Sequence, residues 1–142
     1  HPERLISEPK CLSRPLYGFE NTEHTINNEG PYAFYYHNKI YLAYSGGDAR
    51  GYLYAIGMLT ANDGDDLCDL SVWEKAKTPI ASFATIPGEY GPGHNSFFWD
   101  RDQNLWIAYH AVTSFEEKIV SSGMRRVYFE QDKTPRVDVI VE

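Results

Sequence analysis

One sequence pattern occurs twice in this chain of 142 residues and limits the folds open to it. Gly30-Pro31 leads into an aromatic strand pattern, and Gly91-Pro92 leads into a second one about 60 residues later. Tyr44 and Tyr109 stand at equivalent points of the two copies, 65 residues apart. Repeats of this length, each made of several short strands, are typical of propeller blades that point their first strands at a common axis.

The segments inside each copy have the pattern of strands. No long stretch carries apolar residues at helical spacing, and the eleven Tyr, seven Phe and three Trp favour sheet. We therefore predict an all-β chain, a partial β-propeller with two four-stranded antiparallel blades and a strand of a third. Residues 1–20 are predicted to end the preceding blade, 31–81 to form one blade and 92–141 to form the last. The predicted strands lie near 10–13, at 32–36, 39–45, 52–60 and 73–81, and at 93–99, 105–111, 124–130 and 136–141, with a tight turn at His37-Asn38.

Charge and hydropathy exclude two classes of partner. A net charge of −7 and a pI near 5.2 argue against nucleic acid, because phosphate binding needs basic patches. No run approaches the roughly 20 apolar residues of a membrane span. No signal peptide is visible and residue 1 is His, so we expect a processed chain or a piece of a longer one. Localisation, secreted or cytoplasmic, stays open.

Two features that resemble sites have plainer interpretations. The acidic segment at 62–69 lacks the ligand spacing of an EF-hand and a closing bidentate Glu, so it is predicted to be a solvated loop. Cys11 and Cys68 are too few to define a disulfide framework. They are predicted to be buried free thiols, with a disulfide as the alternative, and the redox compartment is undecided.

Several segments, taken in order and at their spacing, resemble glycoside hydrolase family 43, and the resemblance runs from about Leu5 to the C-terminus. They are Asn27-Asn28-Glu29-Gly30-Pro31, the stretches 39–45, 54–59 and 69–73, and Tyr90-Gly91-Pro92-Gly93-His94-Asn95-Ser96. The resemblance implies a five-bladed propeller that removes α-L-arabinofuranose or β-D-xylose from plant polysaccharides by inversion. It implies a carbohydrate substrate and no required cofactor.

The resemblance places the general acid on Glu29. The residues around it suit that role, since a carboxylate at the mouth of an aromatic strand is held rigidly by the Gly-Pro that follows. The alternative is a solvated carboxylate that merely ends a loop. His94 matches a family histidine near the axis, beside which a Ca²⁺ ion or an ordered water is often found. Calcium prefers oxygen ligands, so His94 would hold the ion through water; the alternative is a hydrogen-bonded core histidine.

The resemblance also implies an arginine that faces the sugar or the acid. Arg125 and Arg126 both fit, and we assign Arg126 from its position before Val127. Tyr54 is assigned to substrate binding. Tyr54, His110 and Trp106 could all line a sugar site, although aromatic strand residues also fill cores.

The resemblance does not place the general base, or the aspartate that tunes the acid, on this chain. The family's general base and a second, pKa-tuning aspartate would both lie upstream of His1. The aspartates at 48, 63, 65, 66, 69, 100 and 102 are predicted to sit in turns or outer loops. We therefore expect the acid but no base, and a chain that is inactive alone until upstream blades join it, from a companion chain or by self-association. The alternative function is a non-catalytic carbohydrate-binding or scaffold propeller fragment.

Overall fold

The computed structural model describes residues 3–5, 7–114, 116 and 119–138, and these form strands and loops. The strands are β1 (Asn21–Thr22), β2 (Thr25–Ile26), β3 (Asn28–Tyr36), β4 (Lys39–Gly46), β5 (Ala55–Asn62), β6 (Glu74–Lys75), β7 (Tyr90–Trp99), β8 (Leu105–Ser114), β9 (Ile119–Arg126), β10 (Tyr128–Phe129) and β11 (Pro135–Arg136). Gly18–Glu20 and Leu70–Val72 are single 3₁₀ turns. No helix in the described part of the chain is long and apolar enough to cross a membrane. The prediction of an all-β chain is confirmed.

Two antiparallel sheets make up most of the structure. The first has the order β3-β4-β5-β6 and the second the order β7-β8-β9, while β1–β2 and β10–β11 form separate two-stranded ribbons. The first sheet corresponds to the predicted blade at 31–81 but starts earlier, at Asn28. The second sheet holds three strands among the described residues. Residues 139–142, the end of the last predicted strand, lie outside the described residues.

The outer edge of the first predicted blade is shorter than expected. The fourth strand of the first sheet is only Glu74–Lys75, rather than 73–81. Beyond it Ala76 and Ile80 donate backbone hydrogen bonds to the carbonyls of Met58 and Ile56, at 2.9 and 2.8 Å. The chain thus stays beside β5 without a continuous ladder, as expected around Pro79, which has no backbone N–H to donate.

The segment predicted to hold a strand near 10–13 forms none. A strand needs a hydrogen-bonded neighbour, and this segment instead makes side-chain contacts with the first sheet. Ser13 Oγ donates to Asn28 Oδ1 at 2.8 Å, and Lys75 Nζ donates to the carbonyl of Arg14 at 2.7 Å. These contacts fix it to the first sheet.

The tight turn between β3 and β4 is confirmed. His37 and Asn38 have φ of 46° and 61°, and Tyr36 pairs with Lys39 across the turn. Two positive φ values in a two-residue loop are those of a type I′ turn, whose twist matches that of the strands it joins.

The internal repeat reappears as a tyrosine lying over a cross-strand glycine. Tyr44 pairs with Gly57 in the first sheet, and Tyr109 pairs with Gly123 in the second. A Cβ atom at either glycine would collide with the facing tyrosine ring. Each ring therefore lies flat on the backbone of the next strand, and its hydroxyl reaches a glutamate upstream of its sheet. Tyr44 donates to Glu20 at 2.8 Å and Tyr109 to Glu89 at 2.5 Å.

The main core lies between the two sheets, where β7 packs across β3, β4 and β5. Phe34 and Phe97 meet at 4.5 Å between ring centroids, and Phe34 stacks on Tyr41 at 4.8 Å. Ile56 and Ile107 are fully buried around them. Burial of each such side chain contributes about 1.5–3 kcal/mol, so this interface fixes one sheet relative to the other.

The two cysteines are free, but the prediction that they are buried is wrong. Both are exposed. Cys11 lies in the segment that crosses the first sheet, and Cys68 lies in the acidic loop, where its backbone N–H donates to Asp66 at 3.0 Å. Loop positions outside the sheet pattern offer no apolar environment for a thiol.

Strand β9 gives the strongest reason to expect association. It is an edge strand among the described residues, and Ile119, Val120 and Met124 on it are 43%, 63% and 62% exposed. Exposed apolar edge strands pair with other chains. We predict a dimer or larger species at concentrations on the order of 10 μM, in sedimentation velocity. Met124→Lys should shift the chain toward monomer and Arg101→Ala should not, whereas a monomeric wild-type chain would contradict the prediction.

Candidate active site

The first strands of both sheets begin with the same irregular backbone. Gly30 and Gly91 have φ of 56° and 57°, a left-handed conformation that favours glycine. The β3–β4 pairing shifts register after Glu29, and the β7–β8 pairing shifts on both sides of Gly93. Such bulges redirect side chains and are frequent beside active sites. The two copies of the Gly-Pro motif thus shape the same end of each sheet.

The motifs of the two sheets meet at His94 and Gly30. A Cβ atom at Gly30 would lie 3.3 Å from His94 Nδ1, so the imidazole packs directly on the glycine backbone. His94 has a φ of 50°, which is unusual for a residue with a side chain, and its backbone N–H donates to Ser45 Oγ at 2.7 Å. This contact brings the His94 ring beside the backbone that follows Glu29, since Glu29 precedes Gly30 in the chain.

Glu29 is held by a buried tyrosine. Tyr54 Oη donates to Glu29 Oε1 at 2.6 Å, and the Tyr54 side chain, immediately before β5, is fully buried. Burial, followed by the hydrogen bond to Glu29, raises the pKa of Tyr54, while a hydrogen bond with Ser45 lowers it in part. The Tyr54 phenol therefore keeps its proton at neutral pH and remains a hydrogen-bond donor. Tyr54 contacts the predicted acid itself, which is a more specific role than the substrate contact predicted for it.

Ser45 connects the two sheets to this tyrosine. It is fully buried at the end of β4, accepts from the His94 N–H and acts on Tyr54, whose pKa it lowers in part. A series of interactions thus runs from His94 through Ser45 and Tyr54 to Glu29, with hydrogen bonds at its two ends. Sequence reasoning missed Ser45, because one serine after an apolar strand carries no signal of what lies opposite it.

His110 forms one wall beside this series. Its ring stacks on Tyr54 with centroids 5.7 Å apart and planes within 9°. Burial, and next the charge of His94, lowers the pKa of His110, against opposing effects of the Ala49 backbone and Glu29. His110 is therefore neutral at neutral pH. The sequence pointed to it only as an aromatic strand residue that lines a site or fills a core.

A small cavity beside Glu29 allows small molecules to reach its side chain. It has a volume of about 210 Å³ and is lined by Lys10, Ser13, Asn28, Glu29 and Tyr44 among others. Glu29 itself is partly buried. A partly buried carboxylate with one fixed hydrogen bond can face a substrate atom on its free side.

The structure does not bring Arg126 to this cluster. It is exposed at the end of β9, donates to Asn104 Oδ1 and lies 5.0 Å from the centroid of Tyr128. Arg125 is the inward-facing member of the pair. It donates to Tyr109 Oη and to Glu89 Oε1, both at 2.8 Å, and so supports the glutamate–tyrosine pair of the second sheet.

Trp106 also lies apart from Glu29. Its indole Nε1 donates to Asp100 Oδ2 at 2.7 Å in the turn between β7 and β8, at the other end of these strands. That bond, followed by those of Asn104, lowers the pKa of Asp100. Trp106 therefore fixes a turn.

Most of the aspartates named above hold turns, as predicted. Asp48, Asp65, Asp66, Asp69 and Asp100 each accept a nearby backbone N–H, at 2.8 to 3.0 Å. Asp63 accepts from the Tyr35 hydroxyl at 3.3 Å. Carboxylates used in this way order the loops.

The residues around His94 do not fit a metal ion held by the protein alone. In the described ranges, no three His, Cys, Asp or Glu side chains converge where an ion could bind. His94 would contribute a single imidazole, whereas Ca²⁺ takes six to eight oxygen ligands. No catalytic step is therefore assigned to a metal here.

Comparison with known proteins places this chain in a family. The profile of Glycosyl hydrolases family 43 matches residues 4–135. The chain belongs to this family. The Extracellular exo-alpha-(1->5)-L-arabinofuranosidase of Streptomyces chartreusis is 38% identical over 112 residues, which are 78% of this chain and 34% of that protein. The protein of the same name from Streptomyces avermitilis is 28% identical over 99% of this chain and 31% of its own length.

A solved relative has the same fold. The crystal structure of alpha-L-arabinofuranosidase from Lactobacillus brevis superposes with a TM-score of 0.84 at 29% identity, over 96% of this chain and 44% of that one. The prediction of a partial family 43 propeller is confirmed. The chain spans about a third of the length of the curated relatives it matches.

Proposed function

We propose that this chain supplies the proton donor of an inverting glycoside hydrolase that cleaves α-L-arabinofuranosyl or β-D-xylosyl linkages in plant-type polysaccharides. The observation that carries the proposal is the position of Glu29. It stands where the motifs of two blades meet, with Tyr54 Oη 2.6 Å from its carboxylate. The names of the curated relatives favour the arabinofuranosyl linkage of the two.

In the proposed reaction Glu29 gives its proton to the glycosidic oxygen as the bond to the sugar breaks. A second carboxylate takes a proton from a water molecule that attacks the opposite face of the sugar, with the two carboxyl groups roughly 6.5–9.5 Å apart. Tyr54 binds one oxygen of Glu29 and leaves the other to face the substrate. Ser45 and His94 fix Tyr54 from behind, so the acid keeps one orientation through the reaction.

The second carboxylate is proposed to come from blades outside this chain. The aspartates of the described residues that hold turns are committed to backbone N–H groups. A companion segment or chain with the remaining blades would supply an aspartate as the base and cover the exposed apolar surface of the two blades. His94 would then contact the sugar or a water molecule beside it.

The experiment that tests this proposal compares the chain alone with the chain joined to its upstream blades. We expect the chain alone to release no sugar from an arabino-oligosaccharide, and the completed protein to release it with inverted anomeric configuration in the first product, by ¹H NMR. Retention of configuration would exclude the proposed mechanism. Binding of the oligosaccharide without turnover in the completed protein would instead favour the non-catalytic alternative.

Tyr54→Phe is predicted to weaken the acid without removing it. The substitution deletes one hydrogen bond to a charged group, worth about 1.5–3 kcal/mol, so kcat/KM for a natural glycoside should fall about tenfold to hundredfold. Tyr109→Phe, which removes a tyrosine hydroxyl that donates to Glu89 in the second sheet, is the control. An unchanged kcat/KM in Tyr54→Phe, or an equal loss in Tyr109→Phe, would contradict the positioning role.

A further inference from the structure

A fully buried carboxylate holds the residue that precedes the proposed acid, and the proposed proton transfer does not use it. Glu20 ends the 3₁₀ turn before β1 and is fully buried. Its two oxygens bind five donors, the backbone N–H groups of Leu16 and Tyr17 and the side chains of Asn28, Tyr44 and Lys75. A carboxylate with this many donors keeps one orientation, so it is a fixed support for the groups bound to it.

Asn28 connects this carboxylate to the acid. Its Nδ2 donates to Glu20 Oε1 at 2.8 Å, and its Oδ1 accepts from Ser13 Oγ at 2.8 Å. Asn28 starts β3, and Glu29 follows it directly. The β3–β4 register shifts after Glu29, so the regular pairing on the side of Asn28 ends at the acid itself. A bond that fixes Asn28 therefore fixes the backbone from which the Glu29 side chain extends.

Glu20 also packs on β4 opposite the acid. A Cβ atom at Gly46 would lie 3.1 Å from Glu20 Cγ, so the side chain of Glu20 lies close against this strand. Gly46 pairs with Asn28 across the two strands, and Ser45 pairs with Glu29. One buried side chain thus contacts both strands where Glu29 and Ser45 face each other.

The second sheet contains a related arrangement that serves as a comparison. Glu89 also accepts from a tyrosine hydroxyl, that of Tyr109, and pairs with a cation, Arg125. These two partners lie on β8 and β9, whereas the partners of Glu20 include the residue before the acid. The tyrosine and the cation recur in both sheets and stabilise them. The bond to Asn28 is the feature that concerns the acid.

We propose that Glu20 and Asn28 are positioning residues for the proton donor. Glu20 holds the Asn28 amide, and Asn28 keeps Glu29 in the place from which its proton reaches the leaving oxygen. These roles rest on the proposed function. A general acid must lie within hydrogen-bond reach of that oxygen, and a displacement of about 1 Å can slow a reaction about 10²-fold. Loss of the Asn28 bond leaves the proton on Glu29 but releases the strand that carries it.

The test uses the completed protein and two substrates, an arabinofuranose disaccharide, whose leaving group needs a proton, and an activated aryl arabinofuranoside, whose phenolate does not. Asn28 is half-buried, so Asn28→Ala should fold. It should lower kcat for the disaccharide about tenfold to hundredfold, with KM changed by less than about twofold, and slow the aryl substrate clearly less. A merely structural role would slow both substrates equally, through a smaller folded fraction. Glu89→Gln is the control and should leave the ratio of the two rates unchanged.

A double-mutant cycle tests whether the two residues act through their shared hydrogen bond. Glu20→Gln should show the same preference for the aryl substrate, and the double variant with Asn28→Ala should lose little more than the larger single effect. Should Glu20→Gln not fold, Asn28→Asp takes its place. It sets a carboxylate against Glu20, keeps an acceptor for Ser13, and should show the same selective loss.

Two results would overturn the positioning roles. One is an equal loss on both substrates in Asn28→Ala, and the other is additive losses in the double variant, which would mean that Asn28 acts independently of Glu20. If Glu29→Gln distinguishes the two substrates and Asn28→Ala does not, the acid stands and the positioning roles fail. If Glu29→Gln itself slows both substrates equally, the proposed function fails instead.

Discussion

Glu29→Gln is expected to lower turnover of natural glycosides by about 10²–10⁴-fold in the completed protein, the usual contribution of general acid catalysis. Glutamine keeps the size of the side chain and can still accept from Tyr54 Oη, so the fold and the hydrogen bond persist. It has no carboxylic proton to transfer. The alkaline limb of the pH–rate profile, which reports loss of that proton, should disappear.

The matched control is Glu89→Gln. Glu89 pairs with Tyr109 at 2.5 Å much as Glu29 pairs with Tyr54, but Arg125 neutralises it and no Gly-Pro motif follows it directly. Its substitution should cost stability and leave the alkaline limb in place. A similar loss of turnover in both variants would mean that Glu29 acts only by holding its strand.

Lys75→Met is expected to lower the free energy of unfolding by about 3 kcal/mol at pH 7, the largest loss of stability among the variants proposed. Glu20 is fully buried, and Lys75 Nζ lies 2.5 Å from its Oε1. Burial alone would raise the pKa of Glu20, but the hydrogen bonds from Lys75, Tyr17, Tyr44 and Asn28 together lower it. Without Lys75 the buried carboxylate loses its only ion-pair partner among the described residues. Urea denaturation measures the loss.

The pH dependence of that loss follows from the sign of the shift. A group whose pKa is lowered by folding stabilises the protein above its unfolded pKa, and this contribution disappears as pH falls through the folded pKa. The difference between wild type and Lys75→Met should therefore be largest at neutral pH and shrink in acid. Arg125→Met is the comparison, because Glu89 and Arg125 are 20% and 25% exposed and solvent replaces part of their pairing. Its cost should be smaller, about 1–2 kcal/mol. A pH-independent loss in Lys75→Met would contradict the role given to Glu20.

The repeat revealed the blades because strand pattern and turn chemistry are local properties. Gly30 and Gly91 mark positions of positive φ, and Asn38 suits a type I′ turn, so each could be found without knowing its neighbours. The length of β6 could not be predicted in this way, since it depends on how far the chain continues its backbone hydrogen bonds with β5 before Pro79.

The residues of the candidate site also fall into two groups, those that local motifs reveal and those whose role depends on how the sheets pack. Glu29 and His94 stand in recognisable motifs, whereas Ser45 gains its role only because β7 packs across β4. The choice between Arg125 and Arg126 depends on which face of β9 turns inward. Arg125 has the same parity as Gly123, which lies under Tyr109, but that register is set by the pairing of β8 with β9 and not by the sequence of β9 alone.

The most direct test of Glu29 as the proton donor compares two leaving groups in the completed protein. A natural disaccharide leaves as an alkoxide that needs a proton, whereas an activated aryl glycoside leaves as a phenolate that departs without one. Glu29→Gln should slow the disaccharide by about 10²–10⁴-fold more than the aryl glycoside, because only the first reaction uses the acid. If Glu29→Gln slowed both substrates equally and left the pH profile unchanged, Glu29 would be a structural residue and not the acid.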